Sequence, residues 1–296
     1  MMVLWLIAIL AIASITALRV VSFDMDVAAS TIHGARAKHL AEMGVAIGSH
    51  PMVERTDPLL YYINESENEG YEVRLSSEGQ RFNINAILAG RDTDLLNNMF
   101  TEWGMELEES EALIDALTDW YDNDDQVSIK GAEFEDYEKV GRFNQPFNRP
   151  FYDLDEMRLV FGMDRLESLK PGWRDWFTVW SSGQLDLNDA SPELIAMAAE
   201  CTIEQALLVT EAVEGRDGLR NTEDDELFED VGSALALLGI DSTLDPVLAQ
   251  RFMVNDATTR IESIGWAGEA RRRTTLILGN RTGKPALLKR IQEILP

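Results

Sequence analysis

Positions 1 to 18, MMVLWLIAILAIASITAL, are apolar but for Ser14 and Thr16 and carry no charge before Arg19. At ~1.5 Å per residue this run reaches ~27 Å, close to the ~30 Å of a bilayer's hydrocarbon core. It opens without a basic residue and its Ala-x-Ala-like positions lie inside it, so a retained anchor is expected rather than a cleaved signal. Helical spacing then continues without a proline, through Val27, Ala28, Ile32, Ala35, Ala37, Leu40, Ala41, Met43 and Val45. The first stop is Gly48, shortly before Pro51. One helix is expected to leave the membrane and continue into water, apolar all round at first and amphipathic beyond.

After Pro51 the pattern shortens. Strands are predicted at 59–62, 71–75 and 82–84, between turns rich in Asn, Glu and Gly. From there the reading is mostly helical, with segments near 92–102, 107–121, 153–161, 191–199 and 203–214. Strands return at 259–266 and 272–278, joined by Ala-Gly-Glu as a hairpin. Strand, then helix, then strand again predicts an α+β domain with a helical insertion. The expected divisions are an anchor and stalk helix (1–50), an α+β domain (51–84 with 255–296) and the inserted helical domain (85–254). Two segments echo each other, 82–86 and 185–190, alternating apolar residues with Asn or Asp ahead of a helix. In the second, Asn188 or Asp189 is a candidate cap, and Ser191-Pro192-Glu193 suits a helix start. This pattern resembles helix-hairpin-helix modules that hold DNA backbones. Those modules need glycines in the hairpin, where this chain has Glu200-Cys201-Thr202-Ile203.

Charge narrows the choice. Asp and Glu number 52 against 26 Lys and Arg, a formal charge of −26. Such a surface repels phosphate backbones, so nucleic-acid binding is not expected; it suits divalent cations or a basic partner. DNA binding through the 185–190 echo would need a basic face. Arg271 to Arg273 with Arg281, Lys284, Lys289 and Arg290 make the C-terminal part locally basic, but Arg271 to Arg273 are expected on an exposed strand or against an acidic neighbour. Cys201 is the single cysteine, so the fold needs no internal disulfide. The three histidines (His33, His39 and His50) all fall in or just after the first helix, which excludes a His-rich zinc site or a Ser-His-Asp triad further on.

The richest chemistry lies between Asp119 and Asp136. Asp119, Asp122, Asp124, Asp125, Glu133, Glu135 and Asp136 face Lys130 as the only cation in the stretch. Crowded carboxylates repel unless a cation joins them, and calcium takes six to eight oxygens in irregular loops. Counted from Asp122, Asp124 falls at position 3 and Glu133 at position 12 of an EF-hand, but Gln126 and Val127 break that pattern. Trp120, Tyr121 and Ile129 interleave with the acids, so the loop is expected to pack down; the plain alternative is a solvated charge run. A weaker cation loop is Asp217, Asn221, Asp224 and Asp225 around Gly218. The enzymatic alternative is a membrane-anchored periplasmic hydrolase that uses the acidic loop with a metal.

Taken in order, several stretches resemble the pseudopilin K family of type II secretion systems. They are Val3-Leu4-Trp5, Ala35-Arg36 with Leu40 to Gly44, and Gly79 to Asn85. Most specific are Asp119-Trp120-Tyr121-Asp122-Asn123-Asp124, Gly131-Ala132-Glu133 and Tyr137. Asn148-Arg149-Pro150-Phe151, Asp155-Glu156-Met157 and Leu187 to Pro192 follow. The resemblance implies a pilin-like α+β fold, a long N-terminal helix on a small antiparallel sheet, with a large all-α insertion of SAM or helix-hairpin type. It also implies bound calcium, with Asp119, Asp122, Asp124 and Glu133 as ligands and Asp136 beside them. Phe134 stands where the family commonly has another acid. The expected role is a non-enzymatic minor pseudopilin that caps the periplasmic pseudopilus with minor pseudopilins I and J and helps start its assembly. Its location would be the bacterial inner membrane, single-pass, with the globular part in the periplasm beside the secretion assembly platform. The family's basic leader, cut by prepilin peptidase after a Gly, is not among these residues. The expectation is either a start further upstream, with prepilin peptidase as a partner, or a divergent copy. No acid precedes Asp24, as in this family and unlike ordinary pilins.

Overall fold

The computed structural model describes residues 2–296, apart from the side chains of Leu4, Ala8 and Asp26; Met1, where the apolar run opens, lies outside them. In chain order come α1 (Met2–Gly48), β1 (Tyr61–Asn64), β2 (Glu69–Ser77), β3 (Phe82–Asn83), α2 (Ile84–Gly90), α3 (Thr93–Glu102), α4 (Leu107–Tyr121) and α5 (Phe134–Lys139). Next are α6 (Met163–Leu169), β4 (Phe177–Thr178), β5 (Leu185–Asp186), α7 (Pro192–Ala199), α8 (Ile203–Glu214), α9 (Val231–Leu237) and α10 (Pro246–Ala249). The chain closes with β6 (Phe252–Met253), β7 (Thr259–Ala267), β8 (Ala270–Leu278) and β9 (Leu287–Leu295). Two compact units result. One takes the chain up to Leu75 with Ile261–Leu276 and Lys289–Pro296; the other takes Ser76–Arg260 with Ile277–Leu288.

In the first unit α1 is one continuous helix of 47 residues that ends at Gly48. Its most apolar window has a mean hydropathy of 2.3 and no buried part, long and apolar enough to cross a membrane. Past that span the buried positions are Gly34, Ala37, Leu40, Ala41, Gly44, Val45 and Gly48, a stripe at helical spacing. Val27, Ile32 and Met43, expected on the same face, stay about half exposed. The stripe lies against a five-stranded sheet of order β1-β2-β7-β8-β9. β1 and β2 run antiparallel, from Tyr61 opposite Glu72 to Asn64 opposite Glu69.

Glycines set how closely helix and sheet approach. A Cβ on Gly265 of β7 would fall on the Ala37 carbonyl and the Ala41 amide of α1. One on Gly44 would fall on Ser263 Oγ and lie 2.8 Å from Val73 Cγ2.

The second unit is mostly helical, and its core joins Leu96, Met99 and Phe100 of α3, Leu113 and Leu117 of α4, and Ile195 and Ala198 of α7. The predicted helix near 153–161 is instead a 3-10 turn, Leu154–Leu159, with Asp153 as its cap. The two echoing segments supply β3 and β5, each in a short parallel ladder, β3 with β4 and β5 with β6. Asn83 caps α2 by accepting from the Asn85 and Ala86 amides. Asn188 and Asp189, the candidate caps of α7, are used otherwise. Asn188 exchanges hydrogen bonds with the Phe228 backbone at 2.9 and 3.1 Å, and Asp189 accepts from the Ser77 amide at 2.8 Å. Ser191 holds the cap position, with Pro192 in the first turn.

Candidate metal centre

Helix α4 delivers the first acids. Asp119 sits in its last turn with no exposed surface, and the Ser128 amide donates to both its carboxylate oxygens at 3.1 and 3.2 Å. Asp122 is the residue after the helix, where the chain turns extended. Glu133 is 6% exposed and opens α5. A Cβ on Gly131 would fall on the Asp119 carboxylate, so the loop's return passes directly over that group.

A second segment comes back to the same place. The Arg149 amide donates to the Trp120 carbonyl at 3.1 Å, and Asn148 Nδ2 donates to the Asp124 carbonyl at 2.8 Å and to Asp125 Oδ1 at 3.2 Å. Trp120 forms the floor, stacked on Phe151 at 6.0 Å and 4°, and tilted against Phe147 at 4.9 Å.

Several oxygens of the α4–α5 loop and of the returning 145–149 segment lack donors. Buried without a hydrogen-bond partner are Asp122 Oδ1, both oxygens of Glu133, Gln145 Oε1 and Asn148 Oδ1. Among the described residues the only other buried carboxylate or amide oxygen in that state is Glu69 Oε2, and Arg36 faces it at 3.0 Å. Burial pushes the Glu133 carboxyl up to about 7, helped by the charges of Asp119, Asp122 and Asp125. Burial likewise raises Asp119, and raises Asp122 with the help of Asp124. These acids therefore destabilise one another's ionised forms.

No group of three or more His, Cys, Asp or Glu side chains among the described residues is arranged to hold a metal. The partnerless set differs from such a group because two of its members are amides. Neutral amide carbonyls beside carboxylates are the oxygen mixture that calcium accepts. The residues present fit a hard cation on that ground.

The expected ligands divide. Asp119, Asp122 and Glu133 are brought together. Asp124 is turned to the Gln126 amide at 2.8 Å. Asp136 accepts from the Glu133 amide and from Lys139 Nζ at 2.8 Å, which occupies it at the start of α5 and holds its carboxyl below the usual range. Gln145 and Asn148 escaped the sequence reading, although Asn148 begins one of the stretches that carried the resemblance.

Ile129 does not pack down as expected; its side chain is 99% exposed. The loop is held by backbone instead, with the Ser128 amide on Asp119 and the Lys130 amide on Asp115 at 2.9 Å. In the other candidate loop every acid is already engaged. Asp224 accepts from the Arg216 and Asp217 amides, Asp225 from the Asn221 and Thr222 amides, and Asp217 from the Leu219 amide. Asn221 takes a left-handed turn position at φ 66°.

Residues 80–171, which contain the whole centre, match the family model of type II secretion system (T2SS), protein K. Over that stretch the chain resembles the type II secretion system protein K family. Its fold matches a chain in the crystal structure of the GspK-GspI-GspJ complex from the enterotoxigenic Escherichia coli type 2 secretion system. That match has a TM-score of 0.57 and 18% identity, and covers 92% of this chain and 99% of the other. No curated protein matches the chain. The long helix on an antiparallel sheet with a helical insertion is the pilin-like α+β fold expected for this chain.

Proposed function

We propose that this chain is a protein K, the minor pseudopilin at the tip of a type II secretion pseudopilus, and that calcium bound at the α4–α5 loop holds its inserted unit in shape. The observation that carries the reading is the protein K match over 80–171. The same stretch contains the partnerless buried oxygens. Asp119, Asp122, Glu133, Gln145 and Asn148 would hold the ion, which supplies the positive charge that the acids lack. The apolar first part of α1 would anchor the chain in the inner membrane and leave the globular part in the periplasm. The inserted unit is the larger of the two, a bulk suited to the end of a fibre rather than its body. Assembly would be driven by covering the exposed apolar side chains of α1, worth about 25 cal/mol per Å² before ordering costs.

A structural role agrees with the chemistry. All three histidines lie on α1 or two residues past its end, away from the acidic loop in sequence, and a hydrolytic metal needs a nearby base and an open position. The test is reconstitution of the detergent-solubilised chain with minor pseudopilins I and J of the same system. A stoichiometric complex that starts pseudopilus growth is expected. A chain that stays alone in their presence would sink the reading.

A further inference from the structure

Within the inserted unit, α3, the α7–α8 hairpin and the 170–176 turn enclose a groove of about 690 Å³. Two tryptophans line it, Trp103 and Trp176, edge to face at 5.1 Å and 79°. The Lys170 ammonium lies inside, 4.9 Å from the Trp176 ring and 5.5 Å from that of Trp103. Among the described residues Lys170 has no carboxylate partner, so its charge is met by ring faces alone.

The rim has the opposite sign. Glu102, Glu193 and Glu200 border the groove and are exposed. Arg251 holds Glu200 at 2.8 Å, whereas Glu102 and Glu193 have no cationic partner among the described residues. Met197 and Ile203 add apolar wall.

We propose that this groove docks a basic, extended segment of a protein partner. An arginine or lysine of that segment displaces Lys170 from the two tryptophans, and Glu102 and Glu193 meet its charge. An adjoining apolar residue rests on Met197 and Ile203. Arginine suits the site better, because its planar guanidinium stacks on aromatic faces. The chain's formal charge of −26 favours encounter with such a segment.

The molecule carries its own reporter. Cys201, the only cysteine, is free, half-buried and part of the groove wall. In the full-length chain in detergent, its alkylation rate is measured with an acetylated Gly-Leu-Arg-Leu-Arg-Gly peptide and with the Glu-for-Arg counterpart. The basic peptide is expected to slow alkylation severalfold and the acidic one to leave it unchanged. Lys170→Met, which removes the internal competitor, should strengthen protection. The double substitution Glu102→Gln with Glu193→Gln changes only exposed groups and should weaken it at an unaltered thermal midpoint. Equal protection by both peptides, no protection, or protection indifferent to these variants would overturn the proposal.

Discussion

The two oxygens of Glu133 are buried without a donor, and their carboxyl titrates near 7 instead of 4.5. A raised acid favours the folded state while it is protonated. In calcium-free protein its contribution is full below about 4.5 and is lost as pH rises through about 7. The thermal midpoint in chelator should therefore fall across that interval, and Glu133→Gln should flatten the fall. Calcium needs the ionised form, so its affinity should rise over the same interval. At a hundredfold excess over its dissociation constant it should restore ~2.7 kcal/mol. Asp122→Asn and Asn148→Ala should abolish that gain, while Asp136→Asn should keep it, because Asp136 is committed to Lys139 and the Glu133 amide. The acids were legible from their crowding. Gln145 and Asn148 were not, since an amide in a loop carries no spacing signal and only the return of the chain to Trp120 brings them in.

Elements longer than two turns announced themselves through periodicity, as α3, α4 and α8 do. Helices of six or seven residues, such as α2, α5 and α9, are too short for a 3.6-residue pattern to repeat twice. β9 was missed for another reason: Leu287-Leu288 and Lys289-Arg290 come in pairs and break the alternation of a half-buried strand. Within α1, Gly34 and Gly44 lie on the buried stripe where bulk is least tolerated. Gly44→Ala and Gly265→Ala should each lower stability by about 1–3 kcal/mol through overpacking, seen as a drop in thermal midpoint. At α8, Thr202 and Gln205 form a reciprocal cap. Thr202→Ala should cost about 1 kcal/mol, whereas Ser191→Ala at α7 should cost less, because that side chain makes no capping bond.

For the molecule as a whole, the chain forms two compact units, and every residue of the proposed calcium site lies in one of them. Heating should then give two transitions, and chelation should move only the transition of the inserted unit. A single transition displaced as a whole would mean that the units unfold together. Order along the chain was readable because the strands on either side of the helical stretch belong to one sheet, so an insertion was the economical topology. α1, for its part, runs 47 residues without a proline, ~70 Å at ~1.5 Å each. A continuous rod of that length is a lever: a tug or twist applied at its N-terminal end is delivered to the strands packed at the other.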